Sequence, residues 1–142
     1  WSGLCILMTL LSIDELVEIH ELWIGPLRQQ FGFSGMLYFA WVVPAAMGTL
    51  ATAVICWRFV MALPRHPRDL VLLAGALYVG GALGVECLEG DYVSQFGKAN
   101  LGFGLFVAVE ESLEMLGAVV FIHALLGYLG RQGTAIQIQK AP

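Results

Sequence analysis

The stretch GMLYFAWVVPAAMGTLATAVICW, which runs from Gly35 to Trp57, contains no charged side chain. It is longer than the roughly 20 apolar residues that an α-helix needs to cross the hydrocarbon core of a bilayer. The whole chain of 142 residues shares this character, since 58% of its residues are hydrophobic, only 13% are charged and the mean hydropathy is +0.78. These values lie far from those of soluble domains and predict an integral membrane protein.

Four apolar stretches predict one all-α bundle of about four transmembrane helices, with residues 1–142 forming a single domain. Residues 1–13 are interpreted as the end of a truncated first span. Ser12 and Glu15 have the S-x-x-E spacing of a capping box, so a short amphipathic interfacial helix is predicted to follow over residues 13–24. Pro44 is expected to kink the second span. The other three spans are predicted over residues 35–60, 70–89 and 101–129.

Basic side chains mark one predicted side of the membrane. Arg58, Arg65 and Arg68 lie in or beside the connection between the second and third spans. Arg131 and Lys140 follow the fourth span. By the positive-inside rule this side is cytoplasmic, so we expect a bacterial inner membrane protein whose acidic clusters lie on the outer side.

All but one of the eleven acidic residues fall in three clusters that flank or interrupt the apolar stretches. A carboxylate in or beside a bilayer is costly unless it faces water, a protein partner or a cation. The predicted topology brings the three clusters to the same side of the membrane, so they are expected to converge. The clusters are Asp14, Glu15, Glu18 and Glu21; Glu86, Glu89 and Asp91; and Glu110, Glu111 and Glu114.

Carboxylates spaced i, i+3 lie on adjacent helical turns, where they can bind one hard cation or bracket two metals. An E-x-x-E spacing occurs in each cluster, and a divalent metal is therefore a candidate cofactor. The pattern is similar to the carboxylate-rich centres of ferritin-like di-iron bundles, but the E-x-x-H pairs of those centres are missing. His123 lies roughly 13 Å beyond Glu114 along a helix and nearly on its opposite face. The candidate ligands are Glu86, Glu89, Glu110, Glu111, Glu114 and His20.

Each of these candidates also has a simpler interpretation. His20 is then an interfacial histidine that forms hydrogen bonds within the bundle. The first acidic cluster is a solvated helix face, and the glycines of the third span, such as Gly80 and Gly84, serve close helix contact.

Several function classes lack support in the sequence. The net charge of −4 and the scattered basic residues exclude nucleic-acid binding. The three cysteines show no C-x-x-C spacing, which makes a disulfide framework or a zinc site improbable. Neither a nucleophilic catalytic set nor a phosphate-binding loop occurs in a convincing context.

Three segments carry a resemblance to other proteins: LLSIDELVEIHE (Leu10 to Glu21), YVGGALGVE (Tyr78 to Glu86) and EESLEMLG (Glu110 to Gly117). They resemble a group of uncharacterised bacterial multi-spanning membrane proteins. The resemblance implies that the acidic positions belong to a shared pattern, and it brings no activity, cofactor or substrate.

Two hypotheses for function follow, and a third stays open. The first is a non-catalytic membrane subunit that packs within a larger complex, such as an energy-transducing assembly of the respiratory or photosynthetic kind. Its expected partners are the lipid bilayer and other membrane protein subunits. The alternative is a cation-binding membrane protein, either a carboxylate-rich metalloenzyme or a divalent-ion transporter, with an outer-facing Glu/His site. The same carboxylates would also suit proton relay.

Overall fold

The computed structural model describes residues 2–131, and its regular elements in this range are all helical. A 3-10 turn covers Ile19–Trp23, another covers Gly35–Leu37, and a π-helical turn covers Gly80–Val85. The all-α class is thus confirmed, while Trp1 and the predicted basic tail with Lys140 lie outside the described residues. The helices are α1 (Ser2–Val17), α2 (Ile24–Phe31), α3 (Val42–Ala62), α4 (Arg65–Val79), α5 (Glu86–Phe96) and α6 (Leu101–Arg131).

By length and composition, two helical stretches in the described part of the chain are able to cross a membrane. One is α3, with 21 residues, and the other is the continuous stretch Arg65–Phe96, with 32 residues, which comprises α4, the π turn and α5. Cys5–Asp14, within α1, is a shorter apolar helix. The bundle of four transmembrane helices therefore stays a prediction.

The predicted helix start at Ser12 is wrong. The first helix continues through this residue to Val17, and the chain turns at Glu18, whose φ of +54° lies in the left-handed region. The S-x-x-E spacing does not interrupt α1 because a continuing helix already pairs the backbone groups that a cap would satisfy. Asp14 serves the turn instead, since its Oδ1 accepts a hydrogen bond of 3.0 Å from the backbone N–H of His20. The segment predicted as one interfacial helix over residues 13–24 is therefore the end of α1 followed by a 3-10 turn.

Pro44 lies in the first turn of α3 rather than in the middle of a span. The backbone N–H groups of a first turn have no partner within the helix, so a proline there removes no helical hydrogen bond. The expected kink at Pro44 is wrong for this reason.

The stretch Arg65–Phe96 and α6 form an antiparallel hairpin, closed by the short connection of residues 97–100. The two helices approach closely at two glycines. A Cβ on Gly117 would stand 2.8 Å from the backbone nitrogen of Tyr78, and a Cβ on Gly81 would stand 2.9 Å from the carbonyl oxygen of Glu110. Gly80 and Gly84, which the sequence suggested for this contact, have open space where a Cβ would be. Close packing through small residues thus uses the neighbouring face of the same helix.

A small apolar core covers one end of this hairpin. Phe39, Val42 and Val93 are buried together there, and Trp41 packs against them. Gly90 allows the backbone of the 3-10 turn before α3 to cross α5, since a Cβ at this position would lie 3.0 Å from the carbonyl oxygen of Gly35. The segment before α3 therefore lies directly over α5, where two buried carboxylates are found.

Candidate carboxylate site

Glu86 and Glu89 are the buried charged residues of the described chain, with 7% and 3% of their surface exposed. Both belong to the first turn of α5. The π turn that precedes them inserts an extra residue into the helical ladder, which rotates the following turn relative to α4. It also carries Gly81, the glycine that lets α6 approach at Glu110. The local sequence GGALGV, rich in glycine, thus places the α5 carboxylates opposite those of α6.

The carboxyl groups of Glu89 and Glu110 lie within hydrogen-bonding range of each other. Within the described chain, the Oε1 atom of Glu89 is buried and has no hydrogen-bond donor. Ionised carboxylates only accept hydrogen bonds, and two like charges in contact repel each other. A proton or another cation between Glu89 and Glu110 would remove both penalties.

Glu86 has a donor of its own. The indole Nε1–H of Trp41 donates a hydrogen bond of 2.6 Å to its Oε1. Glu21 and Glu114 lie within electrostatic range of the same carboxylate, as does Glu89. Members of all three acidic clusters therefore meet at this end of the hairpin. Which side of a membrane this end faces stays a prediction.

Lys98 brings a positive charge to this region. Its ammonium interacts electrostatically with Glu89 and lies 4.9 Å from the ring centroid of Phe39, a cation–π distance. Glu111 also interacts electrostatically with Glu89, but its own side chain is exposed. The carboxylates around Glu89 thus outnumber the one lysine that interacts with it.

His20 is held beside the site and not within it. Its Nδ1 forms a hydrogen bond of 2.8 Å with Oδ2 of Asp14, and its ring centroid lies 4.4 Å from that of Trp41. Since Trp41 binds Glu86, a continuous set of contacts runs from partly exposed Asp14 through His20 and Trp41 to the buried carboxylate. This arrangement agrees with the simpler interpretation of His20 as a hydrogen-bonding residue of the bundle.

Among the side chains that the structure describes, no three from His, Cys, Asp or Glu are grouped so that they could hold a metal ion. The ligand set predicted from the sequence is brought to one region without forming such a group, so a metal site stays a prediction. Cys5, Cys56 and Cys87 are free thiols.

Sequence reasoning misses two residues that shape this site, Trp41 and Lys98. Trp41 lies within the charge-free stretch from Gly35 to Trp57, and Lys98 lies in the connection of residues 97–100. Nothing in the spacing of either residue points to a carboxylate. Trp41 and Glu86 are 45 residues apart, and Lys98 lies in the connection after α5, where no helical spacing relates it to Glu89. The single usable signal is the position of Trp41 near the start of a charge-free span.

Comparison with known proteins places the chain in a family without adding a function. No curated protein and no solved structure matches it. A family model described as "Domain of unknown function (DUF8692)" matches residues 1–129, which is most of the chain. The chain therefore belongs to the DUF8692 family.

Proposed function

We propose that this chain is a non-catalytic integral membrane subunit that packs within a larger membrane complex. The observation that carries the proposal is the exposure of α3: none of the 18 residues in its most apolar stretch is buried. Met47 and Ile55, for example, expose 70% and 79% of their surface. Exposed apolar surface on this scale requires lipid or protein partners. Lipid and neighbouring subunits are the partners that fit it.

Helix lengths support a membrane placement with the carboxylates at one boundary. Arg68 and Glu89 are separated by about 21 residues along one helix, and so are Glu110 and Arg131 along the other, which corresponds to roughly 32 Å. The hydrocarbon core of a bilayer is about 30 Å thick. Both arms of the hairpin thus have arginine at one boundary and glutamate at the other.

The orientation follows from the arginines. The positive-inside rule puts the end with Arg65, Arg68 and Arg131 in the cytoplasm, so the carboxylates lie at the outer boundary of a bacterial inner membrane. In this arrangement α1, α3, the stretch Arg65–Phe96 and α6 make the four spans. An energy-transducing complex of the respiratory or photosynthetic kind is one assembly with room for such a subunit.

Native mass spectrometry of the protein, extracted gently from its own membrane, tests this proposal. The expected result is a stable complex whose mass includes further protein chains. A lone chain with no other protein bound, in several mild detergents, would contradict it.

A second candidate function is cation binding between α5 and α6. The specific observation in its favour is the buried Oε1 of Glu89, which lacks a donor and belongs to a carboxyl group in contact with that of Glu110. A hard cation prefers carboxylate oxygens, and Mg²⁺ in particular binds through one or two carboxylates while it keeps several waters. Two carboxylates therefore suffice for one partly hydrated ion, with no need for a complete protein cage. Divalent-ion transport and metal-dependent catalysis are the activities that would use such a site.

Metal stoichiometry measured on the purified protein tests this candidate. Glu110→Gln should remove the bound divalent ion. Glu111→Gln, the control at the next position with an exposed side chain, should retain it. Equal stoichiometry in the wild type and in both variants would reject a site at Glu110.

A further inference from the structure

A second feature lies at the opposite end of the hairpin, far from the carboxylates. A cavity of about 290 Å³ lies between the start of α4 and the end of α6 and is lined by residues of both helices. Its polar lining comes from three basic side chains contributed by both helices: His66, His123 and Arg131. The rest of the lining is apolar or backbone, from Pro67, Leu70, Ala124 and Gly127.

The charge around this cavity is positive. Arg65 and Arg68 belong to the same first turn of α4 as His66. Among the described residues, no acidic side chain lines the cavity. The nearest acid in sequence, Asp69, has a side chain that is 66% exposed and forms an ion pair of 3.3 Å with Arg68. A ligand in the cavity would therefore meet N–H donors and no competing carboxylate.

The proposed carboxylate functions use none of these groups. His123, in particular, lies outside the candidate metal site, on the distant half of α6. Two histidines and an arginine from different helices, converging on one partly apolar cavity, are suited to an anion with several acceptor oxygens. The planar fork of Arg131 matches the geometry of a phosphate group.

We infer that this cavity binds a phosphate-bearing anion, held by His66, His123 and Arg131. Its volume lies near the lower end of the range for small-ligand sites, which suits a phosphate with a short polar substituent. Two sources offer this chemistry: the headgroup of an anionic phospholipid and free phosphate. Basic pockets between helices on the cytoplasmic side of a membrane are known sites for anionic headgroups. The lipid source rests on the membrane placement proposed above, whereas the free-phosphate source does not.

Binding measurements on the full chain in detergent test this inference. Phosphatidylglycerol in mixed micelles is titrated against phosphatidylcholine, a zwitterionic reference without net charge, and sodium phosphate is titrated separately at constant ionic strength. The variants are His123→Gln and Arg131→Gln, and the control is Arg58→Gln, near the end of α3 and outside the cavity lining. Arg131 is exposed at the end of α6, so we expect Arg131→Gln to fold, and its binding can be measured even if His123→Gln does not fold.

We expect the Kd of the anion to rise roughly tenfold in each cavity variant, as for the loss of one hydrogen bond to a charged group, and to stay unchanged in Arg58→Gln. Binding of phosphatidylglycerol without binding of sodium phosphate identifies the lipid headgroup as the source. Binding of sodium phosphate alone identifies the free anion. The inference is overturned if neither probe binds, or if Arg131→Gln and Arg58→Gln weaken binding equally. Native mass spectrometry can fail to show partner subunits without affecting this result, so the two proposals fail independently.

Discussion

Replacement of Glu110 by glutamine should stabilise the protein when no metal is present. The side-chain amide of the introduced glutamine would keep the volume of the carboxyl group and offer an N–H donor to the carboxyl group of Glu89, whose buried Oε1 has no donor within the described chain. When both carboxyl groups are ionised, the substitution also removes one of two like charges in contact. An unsatisfied buried acceptor costs about 1–3 kcal/mol, so the free energy of unfolding should increase by an amount in that range.

The assay is equilibrium unfolding of the full chain in mixed micelles at alkaline pH with a chelator present, so that neither a shared proton nor a divalent metal lies between the two carboxyl groups. Glu111→Gln is the matched control, because it makes the same chemical change at an exposed neighbouring position and should alter stability by no more than about 0.5 kcal/mol. If Glu110→Gln is no more stable than the wild type while Glu111→Gln is neutral, the carboxyl contact does not destabilise the protein and the reasoning is refuted. A gain in stability at the expense of cation binding would show the trade-off that functional sites commonly carry.

Three further substitutions test the surroundings of the site, each by the same unfolding assay. Trp41→Phe should lower the free energy of unfolding by about 1.5–3 kcal/mol because it removes the hydrogen bond to a buried carboxylate, whereas Trp57→Phe, in an exposed position, should be nearly neutral. Equal effects of the two substitutions would mean that the indole N–H of Trp41 contributes nothing. Gly117→Ala should destabilise the hairpin by about 1–3 kcal/mol, since the added Cβ would overlap α4, whereas Gly104→Ala, with open space around it, should leave stability unchanged. A tolerated Gly117→Ala would disprove the close approach of α6 to α4. Glu18→Gly should stabilise the turn after α1 by up to about 1 kcal/mol because glycine adopts a positive φ without strain. Glu18→Ala should give no such gain, and an equal gain would mean that backbone conformation is not the cause.

Local properties of the chain were predictable from the sequence. Composition and the length of apolar stretches predicted helices over most of the chain. The helix α6 begins at the predicted residue 101 and ends two residues beyond 129, whereas α3 begins at Val42, seven residues after the predicted start at residue 35. The meeting of the three acidic clusters also followed, because the order of the helices alone fixes which helix ends are neighbours in an antiparallel arrangement. The helix boundary at Glu18 did not follow, since a capping-box spacing is compatible with both a helix start and a helix interior.

By itself, then, the sequence determined that this protein is a helical bundle of predominantly apolar character with its carboxylates gathered at one end. Only the tertiary structure decided which carboxylates meet. The π turn before Glu86 sets the rotation of α5, and Gly81 lets α6 approach until Glu110 contacts Glu89. A pattern of spacings within one helix carries no information on its rotation against another helix, which depends on backbone geometry and on the packing of both surfaces. The pairing of Glu89 with Glu110, and of Trp41 with Glu86, therefore had to come from the folded chain.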